Sequence, residues 1–139
     1  MSAQAEQQTL LEEFDFFDNW MDRYQYIIDL GKALPTYPDE WKTAEYKIEG
    51  CQSQVWIRHE YAEGRLKLNA ISDAAIVSGL IAILLRIYDQ RTPAEILQTP
   101  PDFLSALGLD RHLSPTRSNG LHAMLERIFA LAQHYQTQA

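Results

Sequence analysis

The sequence of 139 residues contains a single cysteine, Cys51. One cysteine cannot form a disulfide within the chain, so the fold is expected to be stabilised without a disulfide framework. The N-terminus also lacks the basic-then-apolar order of a secretory signal peptide. Both absences favour a reducing compartment, and we expect the protein to be cytoplasmic.

Other missing patterns argue against several functional classes. The most apolar run, 74–85, contains Ser78 and Gly79 and ends before Arg86, well short of the roughly 20 residues of a membrane span. No G-x-x-x-x-G-K-[ST] or G-x-G-x-x-G sequence is present, so no nucleotide site is predicted. The four histidines show no pair at metal-ligand spacing, and we expect no bound metal.

Positive charge is scarce. The formal net charge is −7, and residues 1–40 carry nine acids against only Arg23 and Lys32. The other 99 residues hold ten acids and ten bases. Nucleic acids and anionic membranes bind clustered Lys and Arg, so neither is expected as a partner. The acidic segment is either a solvated helix face or a docking surface for a basic partner.

Hydrophobic spacing predicts helices over 9–17, 19–30 and 73–89, a short helix that starts at Pro93 and is stopped by Pro100, another over 103–107, and a long helix from Pro115. Asp18 is the predicted N-cap of the second helix, and Gly31 is its predicted C′ glycine. Alternating residues at 46–49, 55–61 and 66–70 predict a three-stranded antiparallel sheet, with a turn at 62–65 between the last two strands. The expected fold is α+β, in one domain of residues 1–139.

Cys51 lies at the predicted connection between the first two strands. Its neighbours are one flexible glycine and three short polar residues, Gly50, Gln52, Ser53 and Gln54. Buried structural cysteines usually lie inside apolar runs, so this pattern favours a partly exposed, mobile thiol. The alternative is an incidental free cysteine without a function.

Two chemistries use a single accessible thiol. Hydrolysis or acyl transfer needs a histidine base and an orienting group, and spacing does not select among the available residues, His59, His112, His122, Asn119 and Asp73. Sulfur relay needs only a thiolate that attacks a donor persulfide. The residues alone leave both chemistries open.

Arg117 is unusual because it falls in the first turn of the long C-terminal helix. The helix macrodipole disfavours a cation there by up to about 1 kcal/mol, so a compensating partner is expected. Asp73, also at a predicted helix start, is a candidate. The alternatives are solvent or another surface acid.

Four stretches together resemble one known family. They are GCQSQVW at 50–56, SDAAIV at 72–77 followed by Gly79 and Leu80, YDQ at 88–90 followed by Thr92 and Pro93, and LSPTRSNGL at 113–121. In these stretches the chain resembles the SufE family of sulfur-acceptor proteins, and it is nearer to the SufE branch than to the related CsdE branch.

The resemblance implies a single SufE-like domain, associated with Fe–S metabolism, with a fold like that of IscU-type scaffold proteins. It implies that Cys51 takes persulfide sulfur from a cysteine desulfurase, SufS, stimulates that enzyme, and passes sulfur to the SufBCD scaffold. Pyridoxal phosphate would belong to the desulfurase, and this chain would hold no cofactor. A homodimer is left open, and a noncatalytic regulator of the desulfurase is the alternative function.

The residue patterns and the resemblance meet in one site hypothesis. We expect the helix starts at Asp73 and Arg117 to lie near the Cys51 loop, where Arg117 would favour the thiolate or persulfide anion. We also expect the thiol to rest against apolar side chains until a partner docks.

Overall fold

The computed structural model describes residues 2–51 and 53–138. Two helices, α1 (Ala3–Asp15) and α2 (Trp20–Lys32), precede a short 3₁₀ helix (Asp39–Trp41) and two strands, β1 (Val55–Ala62) and β2 (Arg65–Ser72). Five helices follow: α3 (Ala75–Tyr88), α4 (Pro93–Leu97), α5 (Phe103–Ala106), α6 (Leu109–His112) and α7 (Pro115–Gln138). The predicted α+β class is confirmed, and α6 is a helix that the sequence patterns did not predict.

The sheet is an antiparallel hairpin in which Val55 pairs with Ser72 and Ala62 with Arg65. Glu63 and Gly64 both have positive φ, at 56° and 76°, as a two-residue hairpin turn with right-handed strand twist requires. The turn predicted at 62–65 is therefore confirmed.

The strand predicted at 46–49, which would have made the sheet three-stranded, is wrong. In place of a strand at 46–49, the structure has one isolated antiparallel bridge between Lys47 and Trp56. Two hydrogen bonds flank it, from Ile57 N to Tyr46 O and from Ile48 N to Val55 O, each 2.9 Å long. The alternation is present in the sequence, but the pairing does not extend far enough to make a strand.

Helices α2 and α3 pack together at a very close crossing. A Cβ atom added to Gly79 would lie 2.1 Å from the carbonyl oxygen of Ile27, and one added to Gly31 would lie 2.5 Å from the backbone nitrogen of Gly79. Gly31 lies inside α2, because the helix continues to Lys32 and its C-cap is Ala33. The prediction of Gly31 as a C′ glycine is therefore wrong. The N-cap prediction is also wrong by one residue, because the Asn19 side chain, in place of Asp18, accepts from the backbone N–H of Asp22.

Two acids of the N-terminal segment form ion pairs within the protein. Glu6 on α1 accepts from Arg86 Nε on α3 at 2.8 Å, and Glu13 accepts from both terminal nitrogens of Arg86. The Arg86 hydrogen bonds lower the pKa of Glu13, and burial raises the pKa of Tyr26, which donates to Glu13, to about 12. These ion pairs hold α1 against α3.

The longest helix, α7, packs against α4 and α3. Its apolar side is buried as the spacing predicted, through Leu121, Met124, Leu125 and Ile128. Buried side chains from both strands and from each of the helices α1 to α7 join one hydrophobic cluster. Among the described residues, no helix combines the length and the apolar character needed to cross a bilayer.

Candidate functional site

Cys51 lies on a short loop between the Lys47 bridge and β1. The hydrogen bond from Ile48 N to Val55 O closes the base of this loop. Gly50 has a φ of +90°, a conformation that L residues rarely adopt, so glycine avoids backbone strain where the chain turns into Cys51. Gln52, which was predicted to support the loop, lies outside the described residues.

Two hydrogen bonds fasten the loop to the start of α3. The carboxylate oxygen Oδ1 of Asp73 accepts from Gln54 N at 3.0 Å, and Asp73 N donates to Gln54 O at 3.3 Å. Ser72 Oγ accepts from Ala74 N at 3.2 Å just before α3 begins. Asp73 is therefore placed to hold the C-terminal side of the loop in position.

The half-buried Cys51 side chain points to α7. Its thiol donates to the backbone carbonyl oxygen of Gly120, with Sγ and O 3.6 Å apart. A cavity of about 300 Å³ adjoins the sulfur. The cavity has an apolar wall from α3 and α7 and a polar edge at the start of α7; it is lined by Cys51, Ser53, Ala74, Ile76, Val77, Leu80, Ser114, Thr116, Arg117, Gly120, Leu121 and Met124.

Electrostatics keep the resting thiol protonated. Burial raises the pKa of Cys51, and the negative charge of Glu49 raises it further. Because the thiolate is the nucleophilic form, the resting geometry shelters a weakly reactive thiol. In this resting position the protonated form of the thiol is favoured over the thiolate.

Arg117 lines the same cavity as Cys51, from the first turn of α7. Its backbone N–H donates to Ser114 Oγ at 3.3 Å, so Ser114 caps the helix, and its side chain is exposed. In the described part of the chain, no ion pair joins Arg117 to Asp73, which was the candidate partner. The carboxylate of Asp73 is turned to the Gln54 N–H instead.

Two of the candidate histidines make ring contacts outside the cavity. His112 stacks on Trp20 with ring centroids 3.8 Å apart, and His59 lies between Tyr46 and Tyr135, where burial lowers its pKa. No histidine is among the described residues that line the cavity, so the cavity itself offers Cys51 no imidazole base of the kind that a Cys–His hydrolase uses. In residues 2–51 and 53–138, no three His, Cys, Asp or Glu side chains gather in a way that could hold a metal ion.

Sequence reasoning missed the contact between Cys51 and Gly120, and it missed the cavity wall of Ile76, Val77 and Leu80. One signal was available for Gly120, because a glycine inside a long helix is unfavourable and needs a structural reason. Ile76, Val77 and Leu80 belong to a stretch that carries the family resemblance, but their spacing alone indicated only ordinary core positions.

The fold and the site together define a small α+β protein with one loop cysteine beside a cavity between two helix starts. The family model for SufE, described as the Fe-S metabolism associated domain, matches residues 8–132. The chain therefore belongs to the SufE family, and the resemblance seen in the sequence is confirmed.

A solved structure agrees with the fold. The solution structure of a hypothetical protein from Thermus thermophilus is similar with a TM-score of 0.77 and 22% sequence identity. The match covers 95% of this chain and 96% of that one. At this identity the likeness concerns the fold alone.

Proposed function

We propose that this protein is a sulfur acceptor and carrier for Fe–S cluster assembly and that Cys51 carries the sulfur. The observation that carries the proposal is the half-buried thiol of the chain's only cysteine, held on a loop beside a cavity that Arg117 also lines. Membership of a family associated with Fe–S metabolism supports it.

The transfer step is an exchange at sulfur. The Cys51 thiolate attacks the outer sulfur of a donor persulfide, so a bond forms between Cys51 Sγ and that sulfur while the donor's S–S bond breaks. The donor cysteine leaves as a thiolate and takes up the proton that Cys51 lost. Atoms, electrons and charge balance without an external oxidant or reductant.

In this proposal Arg117 stabilises the sulfur anion after the thiol has left its resting position. The pKa of the resting thiol is raised, so Arg117 does not favour the thiolate there. Its exposed guanidinium at the cavity edge is suited to a sulfur anion that has turned towards solvent or a partner. The first turn of α7 adds backbone N–H groups that favour negative charge.

The donor in this proposal is a SufS-like cysteine desulfurase, which holds the pyridoxal phosphate and whose activity the carrier stimulates. The acceptor is the SufBCD scaffold. We propose that the carrier works in the cytoplasm, where a reducing environment keeps Cys51 free of disulfides. The half-buried position of the thiol supports a resting state that is protected until the donor docks.

Intact-protein mass spectrometry tests the proposal directly. After incubation with a SufS-type desulfurase and cysteine, the wild-type chain is expected to gain one or more sulfur atoms that dithiothreitol removes, and Cys51→Ser is expected to gain none. No added sulfur on the wild type would refute the carrier function. Stimulation of the desulfurase by Cys51→Ser at the wild-type level would identify a noncatalytic regulator instead.

Arg117→Ala tests the second part of the site. We expect persulfide formation on Cys51 to slow by roughly tenfold, because the sulfur anion loses its cation, and Arg117→Lys to keep most of the rate. Arg111→Ala, which removes an exposed arginine on α6, is the matched control. Equal rates for Arg117→Ala and the control would exclude this role.

A further inference from the structure

Gly120 lies within α7, where the sequence has a reason to avoid glycine. Glycine in a helix interior is less favourable than alanine by about 1 kcal/mol. Its φ is not positive, so the backbone conformation does not require glycine. The reason must be the space that a side chain would fill.

That space is occupied by Cys51. A Cβ atom built on Gly120 would lie 3.3 Å from Cys51 Sγ, 3.7 Å from its Cβ and 3.8 Å from its Cα, and these are its three nearest heavy atoms. A Cβ at 3.3 Å from sulfur is tighter than an ordinary contact, so one of the two groups would have to move. Cys51 is the group that can move, because it lies on a loop and Gly120 lies on a 24-residue helix.

The carbonyl group of Gly120 favours one protonation state of the Cys51 sulfur. It accepts from the Cys51 thiol at 3.6 Å, which requires a proton on the sulfur. A thiolate has no proton to donate, and a persulfide has replaced that proton with a second sulfur. The carbonyl oxygen therefore favours the unloaded, protonated carrier and repels the anion.

We propose that Gly120 is a positioning residue that holds the protonated thiol of the unloaded carrier in the cavity and releases it once it is ionised or loaded. The missing side chain admits the sulfur, and the carbonyl oxygen selects its protonated form. This inference rests on the proposed function and deepens it by giving the shelter of Cys51 a specific contact.

Gly120→Ala is the variant that tests it, in the free protein without a desulfurase. We expect Cys51 to react with iodoacetamide at pH 8 at least about three times faster than in the wild type, and the midpoint of the pH–rate profile to fall, because the added methyl group displaces the sulfur from its resting contact and weakens its hydrogen bond to the Gly120 carbonyl oxygen. Ser118→Ala and Asn119→Ala, on the same turn of α7, should keep the wild-type rate and profile. An unchanged or slower reaction of a folded Gly120→Ala would overturn the proposal.

Thermal unfolding in a Cys51→Ala background gives a second test that does not depend on thiol reactivity. With the sulfur removed, Gly120→Ala should raise Tm by about 3 °C through helix propensity. With Cys51 present, the same substitution should raise Tm less or lower it. Equal shifts in both backgrounds would show that Gly120 and Cys51 are not coupled. Neither experiment uses sulfur transfer, so their failure and the failure of the carrier function are distinguishable.

Discussion

Glycine permits a close approach in two regions of the molecule, and different atoms meet in each. At the crossing of α2 and α3, Gly31 and Gly79 let backbone meet backbone, and an added Cβ would lie 2.1 to 2.5 Å from main-chain atoms of the other helix. At the contact between the Cys51 loop and α7, Gly120 lets a helix meet a side chain, and an added Cβ would lie 3.3 Å from sulfur.

The α2–α3 crossing is the fixed region in this comparison. The Cys51 loop, whose displacement the proposed transfer requires, is the movable region. Neither helix at the α2–α3 crossing can yield locally, because each main chain is held by its own hydrogen bonds and the surrounding residues are close-packed. The described residues of the Cys51 loop are held by hydrogen bonds of Ile48 and Gln54 and by the contact of the Cys51 thiol with Gly120. The proposed carrier function needs both properties, a rigid core and one thiol that can leave its resting position.

The largest effect is expected for Gly79→Ala. The added Cβ would collide with the carbonyl oxygen of Ile27, so the helices must separate and the core must repack. We expect the free energy of unfolding in urea to fall by about 4 kcal/mol or more.

Gly64→Ala is the control for this prediction. It makes the same chemical change in the hairpin turn, at a φ of 76° but with no atom within 4 Å of the added Cβ. Only backbone strain of about 1 kcal/mol is expected there. Similar losses for the two variants would mean that the α2–α3 crossing is not a rigid backbone contact.

Asp73→Ala should have a smaller effect on stability and should act mainly on the Cys51 loop. It removes the acceptor for the Gln54 N–H, which costs about 0.5–1 kcal/mol of global stability. The freed loop should expose Cys51 more often, so alkylation by iodoacetamide should be about two to three times faster. Asp73→Asn keeps an oxygen acceptor at the same place and should react close to the wild-type rate. A global loss as large as that of Gly79→Ala would show that the loop is part of the rigid core.

Local patterns predicted most of the helices and the β1–β2 hairpin, but contacts between distant residues determined how these elements pack. The apolar spacing of α7 and the turn at Glu63 and Gly64 are local signals, and the structure follows both. Gly31 satisfied the local pattern of a C′ glycine, but its packing depends on Gly79, 48 positions away. No rule on neighbouring residues contains that contact.

Prediction of the candidate site from the sequence was limited in the same way, by contacts between residues that are distant along the chain. The uniqueness of Cys51 and its polar, glycine-flanked loop indicated a candidate thiol, and the first-turn position of Arg117 marked a second residue, which lines the same cavity. Asp73 was expected to pair with Arg117 because both lie at helix starts. The Asp73 carboxylate accepts a hydrogen bond from the backbone N–H of Gln54 at 3.0 Å instead. Which of the two donors binds the carboxylate depends on distances in the folded protein, and the sequence does not contain them.

The smallest effect is expected for Glu49→Gln, which changes the charge next to Cys51 without changing its packing. Burial is the larger cause of the raised pKa of Cys51 and the Glu49 charge is the second, so this variant should lower the pKa only in part. Alkylation at pH 8 and low salt should become roughly twofold faster, because more thiolate is present. Since Glu49 is exposed, added salt at about 0.5 M should remove this difference, while the faster reaction of Gly120→Ala, which is a packing effect, should persist. If salt removed both differences, charge and not the Gly120 contact would control the thiol; if it removed neither, Glu49 would act on Cys51 through the loop's conformation.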